Sequence, residues 1–131
     1  EGVMLDCPME VSAAERAVAE FLASGAPRPT AFVCANEESA IGAVRAVREA
    51  GLNVPGDLSV VSFNDTPRSA LVDPPLTSVS THVEEMARTA LRLLGERAGM
   101  RGKPPVRTVP LKVVVPPSLV VRESSGPAGE C

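Results

Sequence analysis

The chain has 131 residues, the length of one domain by the rule of ~100–200 residues per domain, which excludes a multidomain enzyme. Apolar residues make up 44% and charged residues 22%, the balance of a globular chain with a real core, so wholesale disorder is excluded; the thirteen prolines and ten glycines punctuate elements. Net charge is −3 and the charges are dispersed, which argues against a phosphate-gripping face in this segment. No run reaches the ~18 apolar residues of a membrane span, and Glu1 opens the chain without a signal-peptide pattern. Three cysteines, Cys7, Cys34 and Cys131, are odd in number and far apart, which fits a reducing compartment, read here as the cytoplasm.

In chain order, Val3-Met4-Leu5 is a short apolar run of strand type, broken by Cys7-Pro8. Ser12-Ala13-Ala14-Glu15 has the form of a capping box, and Ala14, Ala17, Val18, Phe21 and Leu22 repeat at helical spacing up to Gly25, which offers a C′ position. Ala31 to Ala35 is a continuous apolar run, as expected of a strand buried on both faces, and it ends at Asn36. Ile41, Val44 and Val47 with interleaved alanines predict a second helix, stopped by Gly51 and followed by the turn Val54-Pro55-Gly56-Asp57. A second buried strand, Leu58 to Phe63, runs into Asn64-Asp65-Thr66-Pro67. Helices between apolar strands require crossovers, so the strands should be parallel, in an open α/β sheet.

Asp73-Pro74-Pro75 breaks any short helix over Ser69 to Val72, and Leu76 to Ser80 reads as a further strand. Val83, Met86, Ala87, Ala90, Leu91 and Leu94 mark another amphipathic helix, with Glu84 and Arg88 as an i,i+4 pair on its outer side. Two β-rich stretches follow, Val106 to Val115 and Ser118 to Val121, and Ser124 to Cys131 reads as a frayed tail.

Open parallel sheets bind ligands beyond the carboxyl ends of their strands, which selects Asn36, Asn64 and Asp65 as ligand contacts. Asn36 has a second reading as the N-cap of the next helix, with Glu37 and Glu38 favoured there by the helix dipole, and the two roles can coexist. Asn64-Asp65-Thr66-Pro67 reads equally as a simple turn. Cys7, just past a possible strand end, falls on the same crevice, whereas Cys34 reads as a small core residue. Phosphate-loop, dinucleotide, zincin and paired-cysteine motifs are absent, and the cysteines lack metal-ligand spacing, so neither cofactor nor metal is expected. Ser80, Thr81, His82 and Glu85 contain the residue types of a nucleophilic triad, but no spacing brings them together. Arg45, Arg48 and Glu49 read as a solvated helix surface.

The segment Pro29-Thr30-Ala31-Phe32-Val33-Cys34-Ala35-Asn36-Glu37-Glu38-Ser39-Ala40-Ile41-Gly42-Ala43 resembles a signature of the lactose-repressor and galactose-repressor (LacI/GalR) family of transcription regulators. Val54 to Asp65, Asp73-Pro74-Pro75-Leu76-Thr77-Ser78-Val79 and Leu119-Val120-Val121-Arg122-Glu123-Ser124 resemble three further motifs of that family, in the same order. The resemblance implies a periplasmic-binding-protein-like sensor fold of two α/β subdomains with an effector between them. Residues 1–123 are similar to its C-terminal portion, the C-terminal subdomain with a segment of the N-terminal one. It also implies that DNA is contacted only through a segment absent from this chain, that ligand roles fall on Asn36 and on the position of Asn64, and that the helix Val83 to Leu94 packs in the first subdomain. With that packing surface gone, the helix is expected to self-associate, swap or repack, and a homodimer is the expected assembly. The chain departs from the family pattern at Asn64, where a carboxylate is usual, at Glu37, where Asp is usual, and at Cys7, where an aromatic often faces the effector, so the expected ligand contacts are Asn36, Asn64, Asp65, Cys7 and Glu37.

These expectations amount to a non-enzymatic, allosteric module that senses a sugar-like effector. The runner-up is a solute-binding protein serving a transporter, and a small α/β enzyme using Asp65 or His82 ranks below both.

Overall fold

Two helices and a mixed sheet form the larger of two compact units in a computed structural model that describes residues 2–98 and 109–127. That unit combines the chain up to Ser80 with the segment from Ser118, and the other is formed by Thr81–Pro117.

The first helix, α1 (Val11–Ala23), begins two residues earlier than a capping box at Ser12 would require. Its N-cap is Glu10, which makes no side-chain capping bond, so the box is not used and Ser12 lies within the first turn. Its end is as expected: Ser24 is the C-cap and Gly25 adopts φ +77°, a left-handed turn that glycine enters without steric cost. Strand β1 is Ala31–Val33, and α2 (Glu37–Glu49) starts at Asn36, whose Oδ1 accepts from the Ser39 N–H at 2.9 Å. Gly51, at φ +76°, closes α2 in the same way.

Packing explains why eight of the thirteen residues of α2 are apolar or small. Ala40, Ile41, Ala43, Val44, Ala46 and Val47 are all buried, because α2 has α1 on one side and β2 (Ser59–Asn64) on the other. Val18 from α1, Val60 from β2, Leu58 and Leu76 complete this core. Each such aliphatic side chain contributes about 1.5–3 kcal/mol when fully buried. Glu15–Arg45, at 3.8 Å, and Arg48–Asp73, at 3.0 Å, lie outside the core with exposed arginines, in keeping with a solvated surface.

Among the described residues the sheet has the order β1-β2-β3-β4, with β3 at Thr77–Ser80 and β4 at Ser118–Val120. Strands β1 and β2 are parallel, as the crossover through α2 requires, and β3 also runs parallel to β2 although only a 3-10 turn, Pro67–Ala70, forms between them. The pairing of β4 with β3 is antiparallel, which makes the sheet mixed rather than parallel throughout. A further difference concerns β1, which is an edge strand. Phe32 packs against the core while Val33 is 79% exposed, so this strand is not buried on both faces.

Three further expectations change. Val3-Met4-Leu5 joins no ladder, because apolar character alone does not supply a hydrogen-bonding partner strand. Residues 109–115 of the stretch Val106 to Val115 are irregular, and its first three residues lie outside the described part. The tail assignment fails at its start, since Ser124 is fully buried: its Oγ accepts from the Thr77 N–H at 2.8 Å and donates to the Val60 carbonyl at 2.5 Å. Its own N–H donates to Pro75 O and its carbonyl accepts from Val60 N. Residues 128–131, including Cys131, lie outside the described part.

In the other unit, α3 spans Val83–Ala98 and contains no buried residue. The ion pair near its start joins Arg88 to Glu85 at 3.8 Å, three residues apart, in place of the expected Glu84–Arg88 pair. A second pair, Arg92–Glu96, closes at 3.2 Å. The His82 carbonyl accepts from Met86 N at 3.0 Å, at the start of the helix.

Candidate functional site

Because β1 and β2 are adjacent and parallel, with Val33 opposite Val61, their carboxyl ends lie at one edge of the sheet. Asn36 follows the first and Asn64 ends the second. The edge proposed from sequence therefore exists, and the residues on it differ in what is left for a ligand.

Asn36 is half-buried and partly committed. Its Oδ1 caps α2, while its Nδ2 donates to the Met9 carbonyl at a long 3.5 Å. Asn64 is exposed and has φ 90°. Asp65 follows at φ 53°, so two successive non-glycine residues are left-handed, a conformation that costs about 1–2 kcal/mol per residue and that Asn and Asp tolerate best.

Glu37 is buried, and its Oε1 accepts from the Thr66 N–H at 2.6 Å and from the Ser69 hydroxyl at 2.8 Å. A buried carboxylate needs such donors, and here they tie the start of α2 to the 3-10 turn at Pro67–Ala70. Glu38 pairs with Arg68 of the same turn. Asp65 is likewise engaged: Oδ1 accepts from Arg122 Nη1 at 2.6 Å, and its N–H donates to Ser78 Oγ at 3.1 Å. Both carboxylates proposed as ligand contacts therefore brace the rim from within the chain.

Cys7 is half-buried and lines a hollow of about 840 Å³ beside β1, together with Met9, Val33, Cys34, Ala35 and Phe63. Burial, with a smaller contribution from the neighbouring Cys7, pushes the Cys34 thiol up to about 12, so Cys34 stays protonated at neutral pH. Both cysteines are free. Among the described residues no group of three or more His, Cys, Asp or Glu side chains could hold a metal ion.

Sequence reasoning missed the residues behind the rim. Arg122, Ser124, Ser78 and Thr77 form a polar lattice at the sheet, with Thr77 Oγ1 accepting from Arg122 N at 2.9 Å and lying 2.7 Å from Ser125 Oγ. The available signal was Arg122 directly after the apolar run Leu119-Val120-Val121, a cation that needs a partner when the run joins a sheet.

Residues 4–125 match the family model described as periplasmic binding protein-like domain. The HTH-type transcriptional repressor MelR of Bacillus subtilis is 44% identical over 98 residues, which cover 75% of this chain and 27% of that protein. The lactose operon repressor of Rhizobium radiobacter is 41% identical over 87 residues, 66% of this chain and 77% of that sequence. Among solved structures, a LacI family transcriptional regulator from Arthrobacter in complex with lactose superposes with a TM-score of 0.77 at 26% identity, covering 92% of this chain and 43% of that one. The chain thus spans about a quarter of the length of the Bacillus regulator. On the sheet order, the paired strand ends and these matches together, the chain belongs to the periplasmic binding protein-like domain family, in its lactose- and galactose-repressor branch.

Proposed function

We propose that this chain is the effector-sensing part of a sugar-responsive transcription regulator, acting without chemistry by a closure that shifts a two-state equilibrium. The observation that carries this reading is the shared edge of β1 and β2, where Asn36 and Asn64 stand at neighbouring strand ends. An amide offers two donors and an acceptor, the mixture that sugar hydroxyls require. Asn64, Asn36 and Cys7 face the ligand, whereas Glu37 and Asp65 support them, because their carboxylates already accept from Thr66, Ser69 and Arg122. The lactose in the Arthrobacter relative makes a glycoside the class to test first.

DNA contact belongs to a part of the regulator other than these residues. A second copy of the chain is the partner that best suits α3, whose Val83, Met86, Leu91 and Leu94 are 43% exposed or more. The compartment that suits two free thiols in a regulator is the cytoplasm.

Calorimetric titration of the chain with lactose, monosaccharides and phosphorylated sugars tests the function. Saturable binding that disappears in Asn64→Ala, with the melting temperature retained, is the expected result. Turnover of any of these sugars would move the chain to the enzymes, and silence across the set would overturn the sensor reading.

A further inference from the structure

The corner after β2 carries backbone strain on two residues, Asn64 at φ 90° and Asp65 at φ 53°, and neither is glycine. Such a corner persists only where its surroundings over-determine it. The contacts that do so converge on Asp65. Its N–H donates to Ser78 Oγ on β3, and its Oδ1 accepts from Arg122 Nη1 at 2.6 Å. The same Nη1 donates to the Leu76 carbonyl at 2.7 Å, so one guanidinium nitrogen holds the corner and the approach to β3 together.

The arginine is itself held. It follows β4, its N–H donates to Thr77 Oγ1 at 2.9 Å, and its carbonyl accepts from the same hydroxyl at 3.2 Å. Since β3 lies between β2 and β4, the side chain spans from the far strand to the rim. Its side chain is 21% exposed and that of Asp65 is 12% exposed, so solvent screens this pair far less than the surface pairs on the helices.

We propose that Arg122 is a positioning residue for the ligand rim: through Asp65 it keeps the Asn64–Asp65 corner left-handed and so fixes where the Asn64 amide stands. This rests on the rim being the effector site. Asp65 is accordingly the anchor of an arginine, and specificity at this strand end falls to the Asn64 amide.

The test compares the chain with Arg122→Met, Arg122→Lys and Asp65→Asn. One readout is the strength of the intraresidue HN–Hα Overhauser contacts of Asn64 and Asp65, which marks positive φ; the other is lactose affinity by calorimetry. In Arg122→Met the left-handed signature should weaken at these two residues while the amides of β1 and α2 keep their shifts, and the lactose Kd should rise roughly tenfold or more. Arg122→Lys, which restores the cation, should recover part of both. Asp65→Asn cuts the pair from the other side in nearly the same volume and should reproduce both changes, so it decides the matter if Arg122→Met does not fold. A retained left-handed signature in the variants overturns the proposal, as does an unchanged affinity once the corner is lost. If the unaltered chain binds none of the sugars, the sensor reading fails instead, and the Overhauser contacts alone decide whether Arg122 holds the corner.

Discussion

Gly42 and Val11 meet backbone to backbone: a Cβ built on Gly42 would lie 2.3 Å from the Val11 carbonyl oxygen, 2.8 Å from Glu15 N and 2.9 Å from the Ala14 Cβ. The missing side chain is what lets α1 lie on α2. Gly42→Ala improves helix propensity by about 1 kcal/mol, yet it forces the helices apart, an overpacking cost of about 1–3 kcal/mol. A net loss of stability is therefore expected in urea unfolding, with the midpoint lowered. An unchanged or raised midpoint would show that α1 shifts freely.

Ser124 holds three segments through one hydroxyl, accepting from Thr77 N and donating to Val60 O. Ser124→Ala leaves both backbone groups buried without that partner, which costs about 1–3 kcal/mol per group. Substantial destabilisation is expected, and deletion from residue 124 onward should be worse, since it also removes the Pro75 and Val60 backbone bonds and the Ser125 contact. Thermal melts of the two variants measure this, and a full-stability deletion would refute the anchoring role.

Glu37 is a structural carboxylate by its contacts. Glu37→Ala removes a charge-assisted acceptor from Thr66 N and Ser69 Oγ, worth about 1.5–3 kcal/mol, and should loosen the 3-10 turn at Pro67–Ala70. Faster amide exchange at Thr66 and Ser69 in the variant than in the parent, with Val60 unchanged, is the expected signature. Equal protection in variant and parent would contradict it.

Alkaline stability follows from Cys34. Its pKa is raised from 9.0 to about 12, so the folded state holds a proton that the unfolded chain releases. The stability gained from this group is intact below about pH 9 and is lost as pH climbs from 9 toward 12. Cys34→Ala should flatten that alkaline decline in denaturation midpoints taken across the range. At pH 8, iodoacetamide should also modify native Cys34 far more slowly than Cys34 in the unfolded chain.

The exposed apolar positions of α3 make an association test direct. Sedimentation of the chain should show mass rising with concentration, and Leu91→Glu with Leu94→Glu should return it to monomer. A monomer at every concentration in the parent chain would remove α3 as the surface for a second copy.

How much of this was legible beforehand differs by residue. The helix ends at Gly25 and Gly51 were readable because a left-handed C′ position is a local demand that glycine meets by itself. Asn36 as an N-cap was readable for the same reason, as its Oδ1 reaches only three residues along the chain. The Ser12 capping box failed although its pattern was correct, because Glu10 leads into the helix two residues earlier and packing of α1 on α2 outweighs a capping preference of about 1 kcal/mol. Of the rim, the strand ends were legible and the partners were not: Arg122 lies 57 residues from Asp65 in sequence, and nothing local announces that the two meet.

Periodicity and punctuation alone determined the order of elements from α1 to α3, and with it the parallel pairing of β1 and β2, since the helix between these two strands forces a crossover. Only the tertiary structure decided that β1 is an exposed edge, that β4 returns antiparallel, and that Ser124 is a buried clamp in place of a loose tail. The physical reason is range. Caps, turns and amphipathic spacing act over a few residues and leave their trace in composition, whereas burial and pairing depend on which distant segment fills the neighbouring space.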